Sequence, residues 1–303
     1  MTKVIGFDSN TAVTVFYSVD LPHQSRGEIS EADLENYLSK AVWKSFDTFR
    51  TLAAGRLNVE ETDLILAGVK VVGIKVDGHE VINAHGFAGK NVQISLCITM
   101  VKRGVIKEPN TKEKENVEIF ETGSAEAYLL SRKLNLSNLL YVEPGEEATH
   151  FFYVSPEGAA HIREFVWGRN DIIKVFADNF AVPEDAAWSI YQKFLAGNIS
   201  EPVKAKLEKL FSEVFKRFMD GVVLSLRDIS TKELKKLPTI YIKNQFPLPE
   251  TIVNKSVSIG DKRGRLCLLK ERINIEDLVY NTPYTSYEWL NDIAKRRIKW
   301  LMP

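Results

Sequence analysis

The feature that most constrains this 303-residue chain is a strand–polar turn–strand pattern that opens it and returns near its middle. KVIGFDSNTAVTVFYSVD, starting at Lys3, reads as a buried strand, the turn Asp8, Ser9, Asn10, Thr11, and a second strand rich in β-branched and aromatic residues, an arrangement that predicts a hairpin. NLLYVEPGEEATHFFYVSPEGAAHIREFVW repeats strand, turn, strand, turn, strand from Asn138 onward. Each opening strand leads to helical periodicity, so the second half restates the first.

Between the two patterns, Ser30 is placed to cap a helix carrying Leu34, Tyr37, Leu38, Ala41, Val42, Phe46, Phe49 and Leu52 on its apolar face and ending near Gly55. TDLILAGVKVVGIKVDGHEVI and NVQISLCITMVK follow as strands around a loop marked by Gly86 and Gly89, and predict a small sheet of their own. The stretch from Lys107 to Glu118 is charged and holds Pro109, the composition of a solvated connection or a poor helix. A helix is predicted from Ser124 to Leu134. After the second pattern, helical spacing covers Asp171–Phe180, Pro183–Ala196 and Glu201–Leu226, with Pro183 and Pro202 at first-turn positions. Strands LPTIYIKN and RLCLLK come next.

Forty basic and forty acidic residues cancel, so no global field attracts nucleic acid. Cys97 and Cys267 each sit in an apolar run without a second ligand at metal spacing, and read as core residues in a reducing compartment. His23, His79, His85, His150 and His161 are scattered, with no helical metal spacing and no nucleophile-elbow serine nearby, and receive no catalytic role. No apolar stretch reaches the length of a membrane span, and the chain opens directly on a strand, so a cytoplasmic protein is expected.

In layout the chain resembles the bacterial actin-like superfamily, in the branch of the division protein FtsA and the type IV pilus protein PilM. The family's first phosphate turn, Asp-Ile-Gly-Ser/Thr-Ser, is matched in place by VIGFDSNTAV, with Asp8 at the acidic position. The second is matched by LLYVEPGEEATHFFYV, which keeps Gly145 and Thr149 and carries Glu143 and Pro144. VVGIKVDGHEVINAHGFAGKNVQISLCITMV, with its DGHEV turn and Gly-x-x-Gly, looks like the small subdomain that FtsA and PilM insert. The resemblance runs from about Thr2 to Gly260.

It implies an α/β, ribonuclease H-like duplicated fold. A first half would take 1–65 and 111–138, an inserted α+β subdomain 66–110, and a second half 139–280 with a helical insertion over about 183–230; a tail would take 281–303. It also implies ATP and magnesium at Asp8, Ser9, Asn10, Thr11, Glu143, Gly145 and Thr149, because turn amides and hydroxyls cradle phosphate while carboxylates position the metal's waters. Asp8-Ser-Asn-Thr is equally an ordinary turn composition, and Glu146 and Glu147 read as a solvated turn.

The motifs are eroded. Where the family has glycines that admit adenosine, this chain has Lys243, Asn244, Gln245 and Phe246. A family Glu and Lys that contact nucleotide fall on Ala187 to Ile190 and are lost. The expectation is a cytoplasmic scaffold for division or type IV pilus assembly proteins at the inner membrane, receiving a membrane partner's cytoplasmic peptide and capable of self-assembly. The alternative is an active, polymerising Mg·ATP-dependent ATPase; a sugar kinase of the same superfold finds no motif.

YEWLNDIAKRRIKWLMP closes the chain. It sets Trp289, Leu290, Ile293, Trp300 and Leu301 on one arc and Lys295, Arg296 and Lys299 on the other, with Arg297 inside the apolar arc. This is the pattern either of an interfacial membrane helix, as in FtsA-like proteins, or of a helix packed on the body.

Overall fold

The structure, a computed structural model, describes residues 3–23, 27–105, 117–155, 158–227, 229, 239–243, 245–249, 256–259, 262–269 and 273–280. The closing segment with Trp289, Leu290, Ile293, Lys295, Arg296, Lys299, Trp300 and Leu301, and most of the charged stretch after Ile106, lie outside them. Asn244 lies outside as well. Two compact units emerge. The first takes the described residues up to Ser137, those of Val154–Ala160 and those from Ile273 on, and the second takes the rest.

In the first unit β1 (Lys3–Phe7) pairs in parallel with β6 (Val117–Glu121). A separate four-stranded sheet has the order β2 (Ala12–Pro22), β5 (Asn91–Lys102), β3 (Leu64–Val76), β4 (His79–Val81). The predicted hairpin is therefore corrected. Although β1 and β2 are joined by the Asp8–Thr11 turn, β2 swings away to pair antiparallel with β5 over its whole length, Ala12 opposite Val101 and Pro22 opposite Asn91. For the same reason the sheet predicted to stand alone over the inserted segment takes β2 as a member. Two register shifts interrupt β3, between Leu66 and Gly68 and between Val71 and Gly73.

Helix α1 (Glu31–Leu57) covers one face of this sheet. It starts where Ser30 and Asp33 form a reciprocal capping box and stops at Asn58, whose φ of 52° satisfies the last carbonyls from a left-handed conformation. Leu34, Tyr37, Leu38, Ala41, Val42 and Phe46 are buried as the periodicity predicts, against Val15, Val19, Leu66, Ile94 and Ile98. Leu52 departs from the prediction, being 52% exposed, because the buried stripe of the last turns runs through Ala53, Ala54 and Leu57 and leaves Leu52 on its flank. Helix α2 (Thr122–Leu134) follows β6 directly, and Tyr128 from it stacks on Phe16 of β2 with ring centroids 4.0 Å apart.

The second unit holds a six-stranded sheet in the order β11 (Ser256–Ile259), β12 (Lys262–Leu269), β10 (Ile240–Lys243), β7 (Leu139–Pro144), β8 (Ala148–Ser155), β9 (Gly158–Val166). β10 is parallel to both β7 and β12. A parallel partner needs a crossover, which α3 (Arg169–Phe180), α4 (Glu184–Leu195) and α5 (Glu201–Arg227) supply between β9 and β10. With the β11–β12 pair antiparallel at one edge, the remaining order β9-β8-β7-β10-β12 is that of a ribonuclease H-like sheet. The expected mixed α/β, actin-like class is thus met, and β1 beside β6 repeats in the first unit what β7 beside β10 does in the second. The chain's described part ends in a short helix, α6 (Asp277–Tyr280).

Alternate residues Leu140, Val142, Phe151 and Tyr153 face the three helices and meet Ile172, Phe176, Tyr191, Phe211, Phe215 and Phe218. Trp167 is fully buried among them; its indole N–H donates to the Val214 carbonyl at 3.0 Å and its ring lies 4.8 Å from Phe218. Pro183 stands one residue before α4 as its N-cap, whereas Pro202 is in the first turn of α5. Cys97 is a core residue, and burial pushes its thiol above the usual range; Cys267 is only half-buried.

Truncating a ring at the centre of this stack leaves a cavity that the surrounding strands and helices cannot close. Phe218→Ala is expected to cost roughly 3–5 kcal/mol, read as a lower urea midpoint with the second unit's tryptophan fluorescence as probe.

Candidate functional site

A turn that cradles phosphate must aim backbone N–H groups outward. In the first turn they point inward. The Asp8 carbonyl accepts the N–H groups of Thr11 and Ala12, each at 3.1 Å, while Asp8 Oδ1 accepts the Asn10 N–H at 3.0 Å and the Thr11 hydroxyl at 2.8 Å. This is an aspartate closing its own turn. Asp8 and Asn10 are exposed; Ser9 is buried, and its hydroxyl donates to Glu121 Oε1.

Glu121, at the junction of β6 and α2, has no exposed surface. Its Oε1 also receives Arg56 Nη2 from the last turn of α1 at 2.7 Å, and its Oε2 receives the Ser124 hydroxyl. The Glu121 N–H donates to Thr14 Oγ1 at 2.6 Å, and Thr14 shares a 2.8 Å bond with Thr99. One buried carboxylate therefore ties together the first turn, two strands and two helices. Arg56 Nε and Nη1 are buried without a hydrogen-bond partner. Sequence reasoning passed over both residues of this pair, which lie 65 positions apart; the only local sign was an acidic residue followed by Thr-Gly-Ser where a strand turns into a helix.

The second turn is also committed within its own unit. Glu143, 6% exposed, accepts Lys243 Nζ at 2.9 Å and the Gln245 side-chain amide, so a carboxylate expected to face magnesium is paired with one of these residues and hydrogen-bonded by the other. Thr149 is fully buried and donates to the Trp167 carbonyl at 2.7 Å. Gly145 donates to the Ala148 carbonyl at 2.8 Å. The free N–H groups at the start of α3, a ready anion site elsewhere, are consumed by the same turn: Arg169 donates to Gly145 O at 3.0 Å and Asn170 to Glu146 O at 2.9 Å. Gly168 permits that contact, since a Cβ there would lie 2.3 Å from Glu146 O. Ala187 and Phe246 are core residues.

The first unit also carries an open groove of about 770 Å³ on the sheet face that α1 leaves uncovered. The strands β2, β3 and β5 form its floor and α2 one wall; Phe16, Ser18, Lys75, Ser95, Tyr128 and Arg132 line it. Ser18 and Ser95 hydroxyls are bonded across the floor at 2.8 Å. Its size suits a ligand of a few residues.

No protein family and no curated protein matches the chain. Among solved structures it is similar to the ethanolamine utilization protein EutJ from Carboxydothermus hydrogenoformans, at 14% identity and a TM-score of 0.32 over 42% of each chain. It is also similar to a chain of a PilM-PilN type IV pilus biogenesis complex, at 11% identity and a TM-score of 0.42, over 79% of this chain and 61% of that one. The chain thus spans 42% and 61% of the lengths of those two solved chains. Among the described residues no helix is long and apolar enough to cross a membrane.

Glu143→Ala removes the buried carboxylate that the Lys243 ammonium and the Gln245 amide meet and is expected to destabilise the protein by roughly 1–3 kcal/mol. Thermal unfolding without any nucleotide checks this; an unchanged midpoint would show the carboxylate to be free for a ligand.

Proposed function

We propose that this protein is an actin-like scaffold of the FtsA and PilM kind, which organises division or type IV pilus assembly proteins at the inner membrane and has lost its nucleotide cycle. The observation that carries this reading is the commitment of both turns. Asp8 closes its own loop, Ser9 serves Glu121, Glu143 is held by Lys243 and Gln245, Thr149 is bonded to Trp167, and the amides that would meet phosphate are given to protein carbonyls. Releasing these groups to ATP would exchange satisfied buried bonds for ligand bonds, with little net gain.

A scaffold needs a receiving surface, and the groove on the first unit supplies one. Paired serines and the Lys75 and Arg132 side chains offer polar contacts to an extended peptide, and Phe16 and Tyr128 offer apolar ones. In this reading the occupant is the cytoplasmic peptide of a membrane partner. The segment of Val71–Val101, which resembles the inserted FtsA and PilM subdomain, contributes β5 and part of β3 to that surface.

The test is a melting titration with Mg·ATP and Mg·ADP. A ligand that binds only the folded state must raise the midpoint by mass action. No shift up to millimolar nucleotide is expected. A saturable rise that disappears in Asp8→Ala would overturn the reading and revive the ATPase alternative.

A further inference from the structure

The groove between the open face of the four-stranded sheet and α2 carries an uneven set of charges. Its lining holds two cations, Lys75 and Arg132, and one acid, Glu80. Lys75 and Glu80 face each other across β3 and β4 at 4.0 Å, with side chains 39% and 72% exposed, so water screens their attraction. Arg132, exposed in the last turn of α2, has no carboxylate within ion-pair distance among the described residues. Asp20, opposite Gln93 in the ladder, is already bonded to the side-chain amides of Gln93 at 3.0 Å and Asn91 at 3.4 Å. One guanidinium of the groove is thus left without a counter-charge. Apolar surface is left uncovered beside it. Ile82, just past β4, is 76% exposed and Leu136 is 39% exposed, and both line the groove. Leu136 is turned back toward Arg132 because Asn135, left-handed at a φ of 52°, ends α2 and lets the Leu136 N–H return to the Ser131 carbonyl at 2.9 Å.

We infer, resting on the reading of this groove as the receiving surface, that its occupant is an acidic peptide: an Asp or Glu meets Arg132, and a neighbouring aliphatic or aromatic side chain covers Ile82 and Leu136. A guanidinium offers a carboxylate two parallel N–H bonds, which fixes position as well as charge. Lys75, held only loosely by Glu80, adds positive charge to the same groove. A basic peptide meets those two cations with a like charge and is turned away, so the charges select as well as bind. Burial of the exposed Ile82 and Leu136 side chains supplies the part of the attraction that salt does not screen.

The full chain is panned against a phage-displayed library of random heptapeptides, in parallel with Arg132→Glu and with Ser18→Trp, which fills the groove floor. The parent is expected to enrich peptides with Asp or Glu beside Leu, Ile or Phe, and Ser18→Trp to enrich none of them. Arg132→Glu is expected to exchange the acid for Lys or Arg at the same position, a reversal that a merely structural arginine would not give. With the best parent-selected peptide made synthetically, replacing its Asp or Glu by Asn or Gln is expected to weaken binding by about 10-fold or more, and added salt to shrink that difference. Arg132 is exposed, so its variant keeps the fold; should Ser18→Trp fail to fold, Ile82→Ser at an exposed position serves as the groove variant and is expected to lower the enrichment. Peptides captured through the groove without an acidic position, or an acidic preference untouched by Arg132→Glu, would overturn the inference and leave the receiving surface standing. No enrichment of the parent over the groove variant would overturn the receiving surface itself, and the acidic partner with it.

Discussion

A carboxylate with no exposed surface must be met by donors or it will not stay charged inside a protein, and Glu121 is the point from which the first unit is organised. Its donors come from α1 (Arg56), from the β1–β2 turn (Ser9) and from α2 (Ser124), and its own N–H reaches β2 at Thr14. The arrangement explains the departure of β2 from β1. Ser9 is drawn inward to the carboxylate, the turn closes on Asp8, and β2 leaves toward β5 with Thr14 and Thr99 bonded behind it. A hairpin would give up those bonds.

The second unit solves the same problem with other partners. Glu143 ends β7 much as Glu121 ends β6, and both strands run beside a parallel neighbour. Its donors are the Lys243 ammonium at the end of β10 and the Gln245 amide just beyond it. Beneath them Trp167 anchors the unit by accepting Thr149 at its carbonyl and donating its indole to α5. Ser9, Glu143 and Thr149 therefore act as internal ties within their own units.

Helices and strands were legible in the sequence because burial on one face imposes a period. Ser30 announced the start of α1, and NLLYVEPGEEATHFFYV announced strand, turn and strand. Strand partners were less legible, since a short polar turn such as Asp8–Thr11 serves a hairpin and a crossing to another sheet equally well. Leu52 lies beside the buried stripe that Ala53, Ala54 and Leu57 continue, and so stays exposed. At the site, the turn residues could be named, but their commitments depend on partners 65, 102 and 112 positions away, Arg56 for Glu121, Gln245 for Glu143 and Glu121 for Ser9.

The claim that strand-end carboxylates are spent on the fold is tested most directly by a double-mutant cycle on Glu121→Gln and Arg56→Met, followed by urea unfolding. Removing one partner of a buried pair typically costs roughly 3–5 kcal/mol, whereas replacing both relieves the stranded charge. The account predicts that the double variant is more stable than Glu121→Gln alone, with a coupling of about 1–3 kcal/mol. Additive losses, or a Glu121→Gln protein as stable as the parent, would contradict it.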